Sequence, residues 1–182
     1  MLSSEDKRVL LEIAHKAIEH QLFGSRSQPI IPKSPSLLAQ KGVFVTLVKE
    51  GDLRGCIGRV EPQHPLFQTV SEMAQAAAFN DPRFPPLTVS ELPQITIEIS
   101  VLSPLGRLTN VDALQIGRDG LVVRRGFSSG LLLPQVASQN RWSAEEFLSQ
   151  VCFKAGLPMD AWQEPGTELF TFSAEVFSEG DV

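Results

Sequence analysis

The sequence predicts an α+β fold, a mostly antiparallel sheet with flanking helices, and three observations carry that reading. Between Gln94 and Leu102, Ile95, Ile97, Ile99 and Val101 share one face while Thr96, Glu98 and Ser100 share the other. Such strict alternation belongs to an antiparallel sheet covered on one side, not to a doubly wound parallel sheet. Two further segments read as hairpins, and three stretches carry apolar residues at helical spacing with caps. The order is helix, hairpin, helix, strand, hairpin, helix, strand. Two hairpin–helix–strand runs in succession make a pseudo-repeat of organisation, without residue-level repetition.

Ser3 or Ser4 caps the first helix, Glu5 and Asp6 suit its positive end, and Gly24 stops it. Its stripe is Leu10, Ile13, Ala14, Ala17, Ile18 and Leu22, and His15 and His20 are ordinary helix residues at a spacing poor for one metal. Residues 25–36 hold three prolines and four serines and read as a loop, not a second helix. Gly42 to Val48 and Leu53 to Val60 flank a turn at Glu50-Gly51-Asp52. Pro65 opens the next helix, whose stripe is Leu66, Phe67, Val70, Met73, Ala74 and Ala77. From Asn80 to Leu87, Pro82, Pro85 and Pro86 exclude helix and central strand, so a rigid connector aims Asp81, Arg83 and Phe84. That connector is either a site or a packing corner closed by an Asp81–Arg83 ion pair.

Leu121 to Val123 and Leu131 to Leu133, joined through a loop from Gly126 to Gly130, form the second hairpin. Ser143-Ala144-Glu145-Glu146 is a capping-box pattern opening a long helix that ends at Gly156 and Pro158. Cys152 lies in its apolar stripe and reads as a core residue. The last strand, Glu168 to Phe177, sets Phe170, Phe172, Ala174 and Val176 on one face.

The chain of 182 residues fits one domain, residues 1–182, or one domain with two lobes. A formal charge of −5 and no basic run longer than Arg124-Arg125 speak against nucleic-acid binding. No apolar run has the length of a membrane span, and the acidic start lacks the pattern of a signal peptide, so the expected location is cytoplasmic. The two cysteines form no CxxC or zinc-type spacing, and no metal or phosphate motif appears. The sequence names no cofactor.

The chemistry concentrates in Leu53-Arg54-Gly55-Cys56-Ile57-Gly58. In an extended strand Arg54 and Cys56 point the same way and Leu53 and Ile57 the other. Gly55 and Gly58 then allow close approach to the backbone, or a bulge. Cys56 is the candidate nucleophile, and Arg54 beside it would favour the thiolate. Residue types alone favour the other reading of Cys56, a small residue tucked between glycines. A hydrolytic pair also needs a base, and His64, in a turn eight residues on, is the only sequence-near one. Glu98 is a candidate acid/base group, with a solvated strand carboxylate as its ordinary reading.

With that stretch, Asp81-Pro82-Arg83-Phe84-Pro85-Pro86-Leu87, Leu132-Leu133-Pro134-Gln135-Val136-Ala137 and Phe153-Lys154-Ala155-Gly156-Leu157 follow in order. Together they identify a chain that resembles the AMMECR domain family, of the bacterial AmmeMemoRadiSam system protein A type, over nearly its whole length. The resemblance implies a duplicated strand–helix arrangement around a curved, barrel-like sheet and a pocket at LRGCIG. It also implies association with Memo-like and radical SAM proteins, but no firm reaction. Two functions are therefore carried forward. One is a binding or accessory module presenting Gly55, Gly58, Asp81, Arg83 and Phe84 to a protein, peptide or small molecule. The other is a cysteine-dependent enzyme or redox component using Cys56 and Arg54. Gly126 to Gly130 is less basic than the usual family loop before LLLP, which weakens any anion contact there.

Overall fold

The computed structural model describes residues 1–24 and 30–181. The chain divides into two compact units, Met1–Leu102 with Glu175–Val182, and Ser103–Ala174. Its class is α+β, and each described strand pairing is antiparallel.

The first unit opens with α1 (Ser4–Phe23). The Ser3 hydroxyl accepts the Asp6 N–H while the Asp6 carboxylate accepts the Ser3 N–H, and Gly24, at φ 64°, ends the helix. This reciprocal cap satisfies two orphan donors of the first turn. Part of the expected loop lies in residues 25–29, outside the described residues. Its end is corrected: Pro35 and Ser36 belong to a short helix, α2 (Pro35–Leu38), where proline fits the first turn because its absent N–H is not needed.

β1 (Val43–Lys49) and β2 (Asp52–Arg59) form the first hairpin. Glu50 and Gly51 both have positive φ, 53° and 88°, as a two-residue turn matched to strand twist requires. α3 (Leu66–Phe79) and β3 (Ile95–Leu102) follow, and the sheet order is β2-β1-β3. Val43, Val45, Leu47, Ile97 and Ile99 are fully buried among residues of α1 and α3. Each such side chain contributes about 2 kcal/mol of hydrophobic stabilisation. Glu175 returns the chain to this unit, where its carboxylate accepts the Leu2 N–H and Phe177 joins the core.

The second unit contains β4 (Gly106–Arg107), β5 (Asp119–Arg125), β6 (Ser128–Leu132), α4 (Pro134–Asn140), α5 (Ala144–Lys154) and β7 (Glu168–Ser178), whose last residues lie in the first unit. The hairpin turn is tighter than expected, because Ser128, Ser129 and Gly130 are already in β6. A further helix that the sequence reading did not include precedes the one expected from Ser143: α4 starts at Pro134, and Arg141 ends it in the left-handed region at φ 56°. Ser143 and Glu146 make the expected capping box of α5, and Cys152 is fully buried.

The β7 pattern needs correction. Phe170 and Phe172 do share a face, but Leu169 supplies the residue packed with α5, and Val176 is exposed. Phe172 instead lies over Gly120, and Arg124 stacks on Phe170, so both faces of this strand carry apolar residues. Alternation could not tell the two faces apart.

The two units share one plan. In each, a hairpin is followed by helix and then a strand that pairs the hairpin's first strand, giving β2-β1-β3 and β6-β5-β7. Gly55 and Gly130 occupy matching places in the second hairpin strands. A Cβ on Gly55 would meet the Ala77 carbonyl oxygen of α3 at 2.2 Å, and one on Gly130 would meet the Ala155 nitrogen at 2.8 Å. In both places glycine lets helix backbone press against the sheet.

Candidate functional site

The register fixes the geometry around Cys56. Thr46 pairs with Cys56 and Leu47 with Gly55, but Val48 pairs with Leu53, leaving Arg54 as the extra residue of a bulge. A bulge resets side-chain direction, so the simple alternation expected of Arg54 and Cys56 does not hold. Gly55, one of the two glycines flagged for this possibility, immediately follows the extra residue.

Arg54 is 8% exposed and turns to the connector after α3. Its Nε and Nη2 donate to Glu91 at 2.9 and 3.1 Å, and Nη2 also donates to the Pro85 carbonyl at 3.0 Å. The guanidinium lies 5.9 Å from the Phe84 ring centroid. Glu91 also accepts from Lys49 and from the Thr88 N–H and hydroxyl. These bonds, the Arg54 one foremost, hold its carboxyl far below the usual range. Arg54 therefore ties the bulge to the connector, and its described partners do not include the thiol. Among the described residues its Nη1 is the buried side-chain polar atom without a partner.

The cation at Cys56 is Arg83. Asp81, 4% exposed, accepts the Cys56 N–H at 2.9 Å and the Arg83 Nε and Nη2 at 2.9 and 2.7 Å. Arg83 Nη2 in turn donates to the Cys56 carbonyl at 3.1 Å. Both backbone groups of Cys56 on the open edge of β2 are thus occupied by the Asp-Pro-Arg segment. Arg83 leads the causes that drive the Asp81 carboxyl far down, and Asp81 raises Arg83, which also interacts electrostatically with Cys56. Phe84 lies between two cations, 5.5 Å from Arg83. The sequence left the connector open between site and ion-paired corner. The structure shows the ion pair and places it at Cys56.

The Cys56 side chain is half-buried, and the Thr46 hydroxyl donates to its Sγ at 3.3 Å. The space directly beside Gly55 and Gly58 is occupied. α3 fills the space beside Gly55, and the Phe44 ring would lie 2.2 Å from a Cβ on Gly58. His64 Nε2 lies 3.7 Å from Glu72, and its described partners do not include the thiol. A cavity of about 620 Å³ lies between α1 and α3, lined by Ile13, Ala17, Phe67, His20 and His64 but by none of Arg54, Cys56, Asp81, Arg83 or Phe84.

Two contributors escaped the sequence reading. Glu91 had a legible signal, since Thr88-Val89-Ser90-Glu91 is a capping-box pattern. Thr46 had only its place on the polar face of β1, between the core residues Val45 and Leu47. Among the described residues, no group of three or more His, Cys, Asp or Glu side chains is arranged to hold a metal, and no helix is long and apolar enough to cross a membrane.

A family model described as AMMECR1 matches residues 11–177. A protein of Methanothermobacter thermautotrophicus is 46% identical, the match covering 98% of this chain and 96% of that protein. One of Methanopyrus kandleri is also 46% identical, with 98% and 90% covered. The crystal structure of an uncharacterised protein from Pyrococcus horikoshii superposes with a TM-score of 0.86 at 40% identity, covering 93% of this chain and 89% of that one.

Proposed function

Because the chain belongs to the AMMECR1 family, we propose that it is a binding or accessory module whose recognition surface is the open edge of β2 with the Asp81–Phe84 connector. Its partners are a Memo-like protein and, through the same system, a radical SAM protein. One observation carries this reading: buried Asp81 ties the Cys56 peptide to Arg83, whose side chain is 53% exposed. The Arg83 Nη1 has no described partner, and Phe84 is only half-buried beside it. A cation and an aromatic ring are therefore presented on a scaffold already fixed by hydrogen bonds, which lowers the ordering cost of binding. Arginine and aromatic side chains also dominate binding hot spots. An acidic or aromatic segment of a protein or peptide is the chemistry this surface suits.

Purified chain and a purified Memo-like protein from the same organism, mixed in a calorimeter, test the proposal. Arg83→Ala and Phe84→Ala each weaken the complex about tenfold or more, while Cys56→Ser leaves it intact. Absence of a complex, or one indifferent to both substitutions, would overturn it.

A further inference from the structure

Among the 14 residues of α3, Glu72 is the only charged one. A helix whose outer face meets bulk water usually carries several charges there. Outside its core stripe α3 carries Gln68, Ser71 and Gln75 instead, at i, i+3 and i+7, so the three share a face. All three line the cavity of about 620 Å³ between α1 and α3. Ile13 and Ala17 of α1 line it too, with Ile30, which packs against the core of the first unit. The α1 side is thus apolar along Ile13 and Ala17, and the α3 side is polar but uncharged. A space of this size is in the range that holds small molecules.

The charges at the cavity are already engaged. Lys16 lies 2.6 Å from Glu12, and Glu72 lies 3.3 Å from Arg59 and 3.7 Å from His64. The uncharged groups are not. Half-buried Ser71 and the Gln68 amide make no side-chain hydrogen bond among the described residues. Gln75 Nε2 donates to the Ala17 carbonyl at 3.2 Å, which leaves its amide oxygen able to accept another bond. A charged ligand would lose hydration here and find the counter-charges taken. A wholly apolar one would strip water from Gln68 and Ser71 without replacing its bonds.

We propose that the cavity between α1 and α3 binds an uncharged small molecule with an apolar body and an amide-like hydrogen-bonding edge. The body lies against Ile13, Ala17 and Ile30. The edge meets Gln68, Ser71 and Gln75, whose amides and hydroxyl offer both donors and acceptors. This site shares no residue with the β2 edge or the Asp81–Phe84 connector, so it does not rest on the protein partner.

Indole-3-acetamide is the probe, with indole-3-acetate as its charged counterpart and 3-methylindole as the counterpart without the amide. Each is titrated into the full chain and followed by amide chemical shifts in NMR. The amide binds with a Kd of about 1 mM or tighter, as its size allows, and shifts the signals of Ile13, Ala17 and Ser71. The acetate and 3-methylindole each bind about tenfold more weakly. Ser71→Phe, which fills the space, abolishes binding of all three. Ser71→Ala keeps the space and removes the hydroxyl, so it weakens the amide about fivefold and leaves 3-methylindole unchanged. No binding of the amide, shifts elsewhere in the chain, or an acetate or 3-methylindole that binds as tightly would overturn the proposal. So would an amide affinity indifferent to both Ser71 substitutions. None of these outcomes alters the Arg83 and Phe84 binding test, so the two proposals fail separately.

Discussion

Arg54 and Arg83 exchange the roles that their distances in sequence assign them. Arg54 stands two residues from Cys56 yet is committed to Glu91, Pro85 and Phe84. Arg83, twenty-seven residues away, contacts the Cys56 carbonyl. Removing one partner of a buried, hydrogen-bonded charge pair leaves the other uncompensated. Arg54→Ala is therefore expected to cost about 3 kcal/mol in urea denaturation, while the folded fraction alkylates Cys56 at the wild-type rate. Arg54→Lys recovers only part of that loss, because an ammonium cannot reproduce the two-nitrogen grip on Glu91. A normal stability for Arg54→Ala with slowed alkylation would return Arg54 to the tuning role that its position in the sequence predicts.

At the scale of elements, the hairpin strands carry the packing constraint. A methyl group at Gly55 meets α3 backbone at 2.2 Å, and neither strand nor helix backbone can yield cheaply. Gly55→Ala is expected to destabilise by about 2–3 kcal/mol, as overpacking of a close-packed contact does. Gly130→Ala acts in the same direction against α5, with less force because its nearest atoms lie at 2.8 and 2.9 Å. Gly156, at φ 72° with open space around it, is a turn requirement only, and Gly156→Ala costs about 1 kcal/mol. Thermal melts of the three variants should rank in that order. Equal melts for Gly55→Ala and wild type would mean that α3 moves away freely.

This matching of Gly55 and Gly130 is the residue-level echo that the sequence did not reveal. The pseudo-repeat of organisation was legible from the hairpin, helix and strand signals. Which glycine answers which was not, because their surroundings differ and close approach of helix to sheet is a tertiary fact. The bulge at Arg54 was flagged by its glycines, but a strand pattern alone could not say which residue is extra. The site was legible as two motifs, LRGCIG and the Asp81–Phe84 connector. Their joining through Asp81 to the Cys56 N–H was not, because a bond between segments twenty-five residues apart is a tertiary fact.

For the whole molecule, protonation links these sites to stability with opposite signs. Asp81, Glu91, Asp119 and Glu175 have carboxyls held below their ordinary values. A lowered native pKa gives stability that is present above the unfolded pKa and lost as pH falls through the native one. Stability measured by urea denaturation should therefore fall as pH drops below about 4. Glu98 runs the other way: its raised carboxyl favours the fold most when protonated, and that contribution is lost as pH rises through its native pKa. Glu98→Gln should then be more stable than wild type at neutral pH, with the advantage vanishing in acid. A disadvantage at neutral pH would show that the carboxylate has a stabilising partner.

The proposed recognition surface and the thiol share β2, so a protein bound there would cover the thiol. The most direct measurement is the rate of Cys56 alkylation at neutral pH with and without a saturating Memo-like partner, in wild type and in Arg83→Ala. The rate in wild type is expected to fall at least about tenfold on binding, as burial of a reactive thiol requires, and Arg83→Ala to need about tenfold more partner for the same protection. A partner that binds while Cys56 alkylates at its free rate would contradict the assignment of the β2 edge and the Asp81–Phe84 connector as the binding surface.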